Sequence, residues 1–402
     1  MDGRSKAVSQ AFAGVAHSYA HLFVLLYATV VLVLEREWGM SYDALFALSI
    51  PMTVLFGAGA LPAGWFGDRW SETGMLSVYF FGLGASTVLT GFADSPLLLA
   101  SGLALMGLFA SIYHPVGIPW LVKHAPNRGR ALGINGVFGS VGTAAAALCA
   151  GVLASWYGWR AAFIVPGLVC LATGVVFVIT VRLGLFGSSH TPKRDETPAP
   201  ASDVRRVFLV LAVTVMCTGM IYQVTSFAMP KIFDERLTGV LGDSVLGIGG
   251  MVTIVYLLSA LSQIAGGELA DRYRLKTIYM LFHFLQVPVL VIAFLLVSPA
   301  LVPVSALMVG LSVAGQPAEN ALLARYAPAR WHGRVFGAKF VLTLGVSSIG
   351  VALIPIAYRL TGSLDALFLV LAGFAVTAGV AAACLPRGEA RQTPSTVAAP
   401  AE

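Results

Sequence analysis

Apolar residues run on for twenty or more positions at a time in this chain, and polar residues gather in the short stretches between those runs. A soluble amphipathic helix would instead alternate apolar and polar faces every three to four residues. A helix needs about 20 mostly apolar residues to cross a hydrocarbon core. Counting such runs predicts spans at 12–34, 44–66, 75–93, 97–122, 131–155 and 160–184, and after a break at 206–230, 245–269, 277–297, 300–324, 335–358 and 364–385. The first run, Phe12 to Leu34, is longer than a signal-peptide core and lacks a small-residue cleavage site after it, so it reads as a retained span. The pattern predicts an all-α integral membrane protein of twelve transmembrane helices, with both termini on one side.

The break between the sixth and seventh spans, Gly187 to Asp203, is polar and proline-rich and reads as a flexible linker. The predicted organisation is an N-terminal six-helix bundle (1–186), a cytoplasmic linker (187–203), a C-terminal six-helix bundle (204–386) and a disordered cytoplasmic tail (387–402).

Composition agrees with the span count. Only 11% of residues are charged and 57% are hydrophobic, against roughly a quarter charged in a soluble chain. So little charge cannot cover a soluble globule of 402 residues, which excludes a soluble enzyme. The formal net charge of +6 does not point to nucleic acid, because Lys and Arg fall in the connections. With the N-terminus inside, nineteen of the 25 lie in interior segments and five (Arg36, Arg160, Lys231, Arg236, Arg359) in exterior ones, leaving Lys339 within a span. That bias predicts cytoplasmic termini in a cytoplasmic (inner) membrane. The four cysteines (Cys149, Cys170, Cys217, Cys384) sit inside apolar runs as small hydrophobes, without metal-ligand spacing.

The two halves repeat each other. Gly64-Trp-Phe-Gly-Asp68-Arg69 returns as Gly267-Glu-Leu-Ala-Asp271-Arg272, 203 positions later. His124-Ala-Pro126-Asn-Arg128-Gly-Arg130 returns as Tyr326-Ala-Pro328-Ala-Arg330-Trp-His-Gly-Arg334, 202 positions on at the prolines. Each pair occupies matching loops, after the second and after the fourth helix of its half. Parallel repeats of six helices are one established transporter architecture.

The Gly-x-x-x-Asp-Arg loop in both halves, the basic loop with Arg128 and Arg130, and Gly158-Trp159-Arg160-Ala-Ala-Phe163 entering the sixth helix resemble the major facilitator superfamily. The resemblance implies the major facilitator fold and a secondary transporter. The first loop departs from the usual pattern, with Trp70-Ser-Glu72 where basic residues are expected. Asp68, Arg69, Arg128, Arg130, Asp271, Arg272 and Arg334 are candidate gating residues, since charge-assisted bonds at the cytoplasmic mouth can stabilise one access state. The alternative is simple headgroup anchoring.

Ionisable groups at membrane depth normally face a cavity or a partner. Here they are His17 and His21 in helix 1, His114 in helix 4, His283 in helix 9, Glu319 in helix 10 and Lys339 in helix 11. Aligning the halves puts Tyr113-His114-Pro115 on Gly315-Gln316-Pro317, with Glu319 following. A proline frees a backbone carbonyl, and matched helix interruptions in the two halves point to a binding site. His114 and Glu319 are therefore the leading proton or substrate candidates, with Asn135, Tyr222, Gln223 and Gln316 as hydrogen-bonding groups. The His-Pro step in helix 4 resembles the fosmidomycin-resistance type of exporter, which implies outward movement in exchange for protons. A Gly-Pro step expected of exporters in helix 5 is missing, and Gly133, Gly136, Gly139 and Gly142 predict close helix packing there. Lys339 resembles the helix 11 lysine of oxalate/formate-type carriers, which implies holding a carboxylate, or else it snorkels beside Arg334. No arginine occurs in 245–269 to match those carriers.

His17 and His21, four apart, share a face of helix 1 and suit proton coupling. No carboxylate or cysteine accompanies them in that helix, so no metal is expected there. No Walker loop, Gly-x-Ser-x-Gly or His-Glu-x-x-His is present, so no cofactor or enzymatic chemistry is expected, and an ion gradient supplies the energy. The basic groups favour an anionic or amphipathic small solute. Three functions compete: proton-coupled export, first; a proton symporter importing an organic acid or metal chelate, second; and a non-transporting sensor. The partners expected are the solute, protons and the bilayer, with the chain a monomer.

Overall fold

The computed structural model describes residues 3–125, 128–186, 201–327, 335, 338–339, 341–346 and 348–386. Every regular element among them is helical. Eleven helices there are long and apolar enough to span a membrane: α1 (Gly3–Trp38), α2 (Tyr42–Arg69), α3 (Glu72–Gly91), α4 (Pro96–His124), α5 (Arg128–Tyr157), α6 (Ala161–Arg182), α7 (Ala201–Arg236), α8 (Val245–Arg272), α9 (Leu275–Leu295), α10 (Leu301–Tyr326) and α12 (Asp365–Ala383). The eleventh predicted span, 335–358, is only partly within the described residues. A π-helical turn Val341–Val346 and a shorter apolar helix, α11 (Ile349–Thr361), occupy its place.

Helix ends run past the apolar stretches. α1 continues through Glu35 and Arg36, and α7 begins at Ala201 and continues through Lys231 to Arg236. Hydropathy registers only the hydrocarbon-crossing part, whereas the backbone stays helical into the headgroup layer, where charge is tolerated. Lys231, assigned by charge counting to an exterior loop, therefore sits on α7.

α1 and α7, the first helix of each half, are the most enclosed spans, at 72% and 61% buried, while α6 and α9 are at 39%. Leu168, Val169, Val175, Val176 and Ile179 of α6 are exposed, as a lipid-facing wall requires. The halves meet mainly along α5 with α8. There Thr253 Oγ1 donates to Ala144 O (2.6 Å) and Gly249 lies where any Cβ would overlap the Ala147 carbonyl. They meet again where Gly57 of α2 abuts the backbone of Gly345. Small residues permit such backbone approach. The predicted glycine stripe of α5 divides: Gly139 and Gly142 pack against His17 and Ser18 of α1, while Gly133 and Gly136 face open space.

Arg206 and Lys276 donate to the carbonyls of Cys384 and Leu385, so the start of α7 and the end of α12 lie together. At the opposite end, the tail of α1 meets the tail of α7. Here ion pairs bridge the halves: Lys231–Glu35 (2.8 Å), Arg36–Asp234 (3.2 Å), Arg36–Asp243 (3.6 Å) and Arg359–Asp43 (2.9 Å). At the termini end, the described ion pairs Lys123–Glu72 and Arg272–Glu268 each stay within one half. Among the described residues, the ion pairs that join the halves thus lie at the end remote from the termini.

Candidate functional site

The two matched prolines do interrupt their helices at matching depth. In α4, the segment Pro96–Ala110 gives way to a π-helical turn, Tyr113–Gly117, before helix resumes at Ile118. In α10, helix stops at Ala314 and restarts at Gln316 with Pro317 in its first turn. Proline costs nothing there, because a first-turn N–H has no intrahelical partner to lose. The restart puts Glu319 in the first turn of a helix, where the helix dipole favours a carboxylate.

Each interruption presents its polar residue to a separate cluster. Glu319 is buried, and both its oxygens are engaged: Lys339 Nζ lies 2.7 Å from Oε1, and Tyr279 Oη donates to Oε2 at 2.6 Å. Lys339 also donates to Asn320 Oδ1 (2.6 Å). Lys339 therefore reaches inward to a carboxylate and does not snorkel. The ring of His283, also buried, meets Tyr279 edge-on at 4.6 Å. Gln316 Oε1 accepts from Gln263 Nε2 of α8 (3.0 Å).

His114 instead joins His17 and His21. Their three rings lie 5.0–5.5 Å apart between centroids, and one nitrogen from each falls within 4.8 Å of the others. His17 Nδ1 sits 2.7 Å from the carbonyl of Asn135, and His21 Nε2 sits 3.2 Å from His17 Nε2. Tyr113 stacks on His17 and its hydroxyl reaches both Asn135 Oδ1 (2.7 Å) and Ala13 O (2.8 Å). Neighbouring inter-half contacts flank this cluster. On α5, Thr143 Oγ1, one turn beyond Gly139, lies 3.2 Å from Tyr222 Oη of α7. Phe56, whose ring lies 6.0 Å from His114, adjoins the Gly57–Gly345 contact. Gln223 is buried beside Tyr222.

Of the candidate gating residues, Asp68, Arg69, Asp271 and Arg272 are exposed. Arg69 stacks on Trp65 and Arg272 pairs with Glu268, each on its own helix. Gly64 and Gly67 of α2 pack against Pro115 and Val116, so the helix that carries the first loop motif rests on the turn that carries His114. Arg334 and the side chains of Arg128 and Arg130 lie outside the described residues.

Sequence reasoning paired His114 with Glu319 because their positions match across the repeat; the structure gives each its own partners. It missed Tyr279, which nothing but its place one helical turn before His283 marks. It also missed the third histidine's approach to His17 and His21, because ligand counting was confined to a single helix.

The arrangement offers an ionisable pair in one half, a tri-imidazole cluster in the other, and a tyrosine of α7 that reaches α5 across the halves. The chain matches the family model described as Major Facilitator Superfamily over residues 11–342 and again over 211–401. It is 29% identical over 217 residues to the puromycin resistance protein of Streptomyces alboniger, covering 52% of this chain and 40% of that protein. It is 26% identical over 263 residues to a Cupriavidus necator protein named "probable sulfoacetate transporter", covering 61% of this chain and 60% of that one. The match thus spans about half the length of these relatives. Among solved structures, a bacterial homologue of the human lysosomal transporter Spinster, inward-facing and occupied, aligns with TM-score 0.74 at 15% identity over 96% of this chain and 97% of that chain. The nucleoside transporter NupG aligns with TM-score 0.69 at 11% identity, over 94% and 99%.

Proposed function

The chain belongs to the Major Facilitator Superfamily, and from that premise we propose that it is a proton-coupled secondary transporter of a small organic anion, in which proton and anion move together. It is a multi-pass membrane transporter and not an enzyme. The observation that carries the coupling is the buried pair of Lys339 and Glu319 at the interruption of α10.

The pair works as an exchange of partners. While Glu319 is ionised it neutralises Lys339, and an uncompensated anion beside it would be repelled. A proton arriving on Glu319 removes that charge and leaves Lys339 Nζ a cation in a low-dielectric site. A solute carboxylate or sulfonate then replaces the carboxylate as its partner, with a charge-assisted bond. One proton and one anion thus load as a neutral unit, and the loaded cavity crosses the membrane without a buried net charge. Co-loading in this sense favours symport over the outward exchange that the helix 4 resemblance implied. The name of the Cupriavidus relative is consistent with an organic sulfonate as substrate class.

The excess of Lys and Arg in interior segments supports a cytoplasmic (inner) membrane location with both termini inside. On that orientation, the ion-paired end is extracellular. The protein acts as a monomer, since each twelve-helix unit encloses its own path between two six-helix bundles, 1–186 and 204–386. Released Asp68, Arg69, Asp271 and Arg272 would form their clasp in the opposite state.

A second reading, export of an amphipathic solute that competes with the proton for Glu319, is favoured by similarity to the puromycin resistance protein. Proteoliposomes separate the two. An imposed inward proton gradient should drive labelled organic acids, sulfoacetate among them, inward together with protons. Glu319→Gln should retain solute exchange and lose gradient-driven accumulation. Gradient-driven movement of solute opposite to the proton, with binding also lost in Glu319→Gln, would overturn symport in favour of export.

A further inference from the structure

We propose that His17, His21 and His114 form a binding site for a divalent late first-row transition cation such as Zn2+ or Co2+. The Glu319 chemistry plays no part in it, so it stands or falls separately. One nitrogen from each imidazole already lies within 4.8 Å of the others. A tetrahedral ion with Zn–N bonds of 2.0–2.1 Å sets its ligand nitrogens about 3.3 Å apart. His17 Nε2 and His21 Nε2 stand 3.2 Å apart, so one edge of that tetrahedron is preformed. Closing the other two edges requires the His114 ring to move inward.

The surroundings hold His17 as a metal ligand requires. A ligating histidine typically donates its other ring N–H to a carbonyl or carboxylate, which fixes the tautomer and turns the lone pair inward. His17 has that partner in the Asn135 carbonyl at 2.7 Å, leaving Nε2 for the cluster. Its ring is clamped between Tyr113, stacked at 5.1 Å between centroids, and Gly139, where a Cβ would come within 2.6 Å of His17 Cε1. His21 follows one turn later on the same rigid helix, and the π-helical turn of α4 supplies His114.

Three neutral imidazoles and no carboxylate make a ligand set for zinc-like ions rather than for Mg2+ or Ca2+, which take oxygen. A dication held there at membrane depth would keep most of its charge, at high cost. The fourth coordination position is therefore suited to an anionic oxygen donor from solution, such as a carboxylate. His21, partly accessible, is the ligand beside which such a donor would enter.

The test is titration of purified, monodisperse protein in nanodiscs with Co2+ alone and with Zn2+ alone. Wild type should bind one ion per chain, with the visible ligand-field absorption of four-coordinate, nitrogen-ligated Co2+, and Zn2+ should displace it. His21→Gln and His114→Gln should weaken binding at least about 100-fold, more than loss of an outer-shell partner does. Glu319→Gln should bind as wild type does. If a histidine variant fails to fold, Gly139→Ala, which crowds His17 without removing a ligand, should weaken Co2+ binding and alter its spectrum. Absence of saturable binding by folded wild type, or binding unchanged in the double variant His21→Gln/His114→Gln, would overturn the proposal and leave the cluster as a hydrogen-bonded imidazole chain. Loss of proton-coupled transport in Glu319→Gln says nothing against the metal site, and an empty histidine cluster says nothing against the coupling.

Discussion

Lys339 Nζ lies 2.7 Å from Glu319 Oε1, joining a lysine of the eleventh span to a carboxylate beside the proline of the tenth. Both side chains are nearly closed to solvent, at 10% and 5% exposure, so neither charge is screened by water.

Breaking one side of such a pair strands the other charge. Lys339→Met should lower stability by about 3–5 kcal/mol, the cost of an uncompensated buried carboxylate. Glu319→Gln/Lys339→Met, which removes both charges, should recover most of that loss and still fail to accumulate anion. Thermal unfolding in detergent, run as a double-mutant cycle, measures it. Additive losses would show that the two charges do not depend on each other.

Gly139 and Gly136 lie three residues apart on α5, yet only the first carries a contact. Gly139→Val should cost about 1–3 kcal/mol through overpacking against His17. Gly136→Ala, with nothing within 4 Å of a Cβ, should stay within about 0.5 kcal/mol of wild type. Equal effects in melting experiments would mean that the α1–α5 approach is looser than described.

At the α5–α8 seam, Gly249 has no room for a side chain because the Ala147 carbonyl occupies it. Gly249→Val should force the two halves apart along this seam and reduce transport by at least about tenfold, at a cost of 1.4 kcal/mol or more in the closed arrangement. Flux assays on Gly249→Val beside Gly250→Ala, a position with nothing nearby, provide the comparison.

The architecture was legible because the bilayer imposes it: spans must be apolar and about 20 residues long, and Lys and Arg must collect between them. The repeat was legible too, since proline has one local meaning wherever it interrupts a helix, and both interruptions stand where Pro115 and Pro317 predict them. Partnership was not legible. Glu319 and Lys339 are twenty residues apart, and His114 is 93 positions from His21, so only the packing of helices assigns one to the other. Helix length also misled: Lys231 follows Pro230, which suggests an end, but α7 carries both through to Arg236.

That continuation matters for the end of the molecule where ion pairs join the halves. Lys231 is buried and sits among Glu35 (2.8 Å), Asp234 (3.5 Å) and Glu235 (3.7 Å), with the rings of Tyr42 and Tyr358 at 5.0 and 5.5 Å. Glu35 and Tyr42 belong to the first half, so one ammonium gathers groups from both. Arg36, by contrast, is 41% exposed and bonds to Asp234 and Asp243 at the rim. A solvent-exposed pair contributes about 0–1 kcal/mol, whereas truncating one partner of a buried pair costs about 2–5 kcal/mol. Lys231→Met should therefore release Glu35 from α7, leave Glu35 and Glu235 without their cation, and shift the access equilibrium at least about tenfold toward opening at this end. Arg36→Gln should shift it less than about fivefold, and high salt should reproduce most of that smaller effect. Spin-label distances between the start of α2 and the end of α11 on this face report the populations directly. Equal shifts for the two variants would place the closing force at the rim and not in the buried lysine.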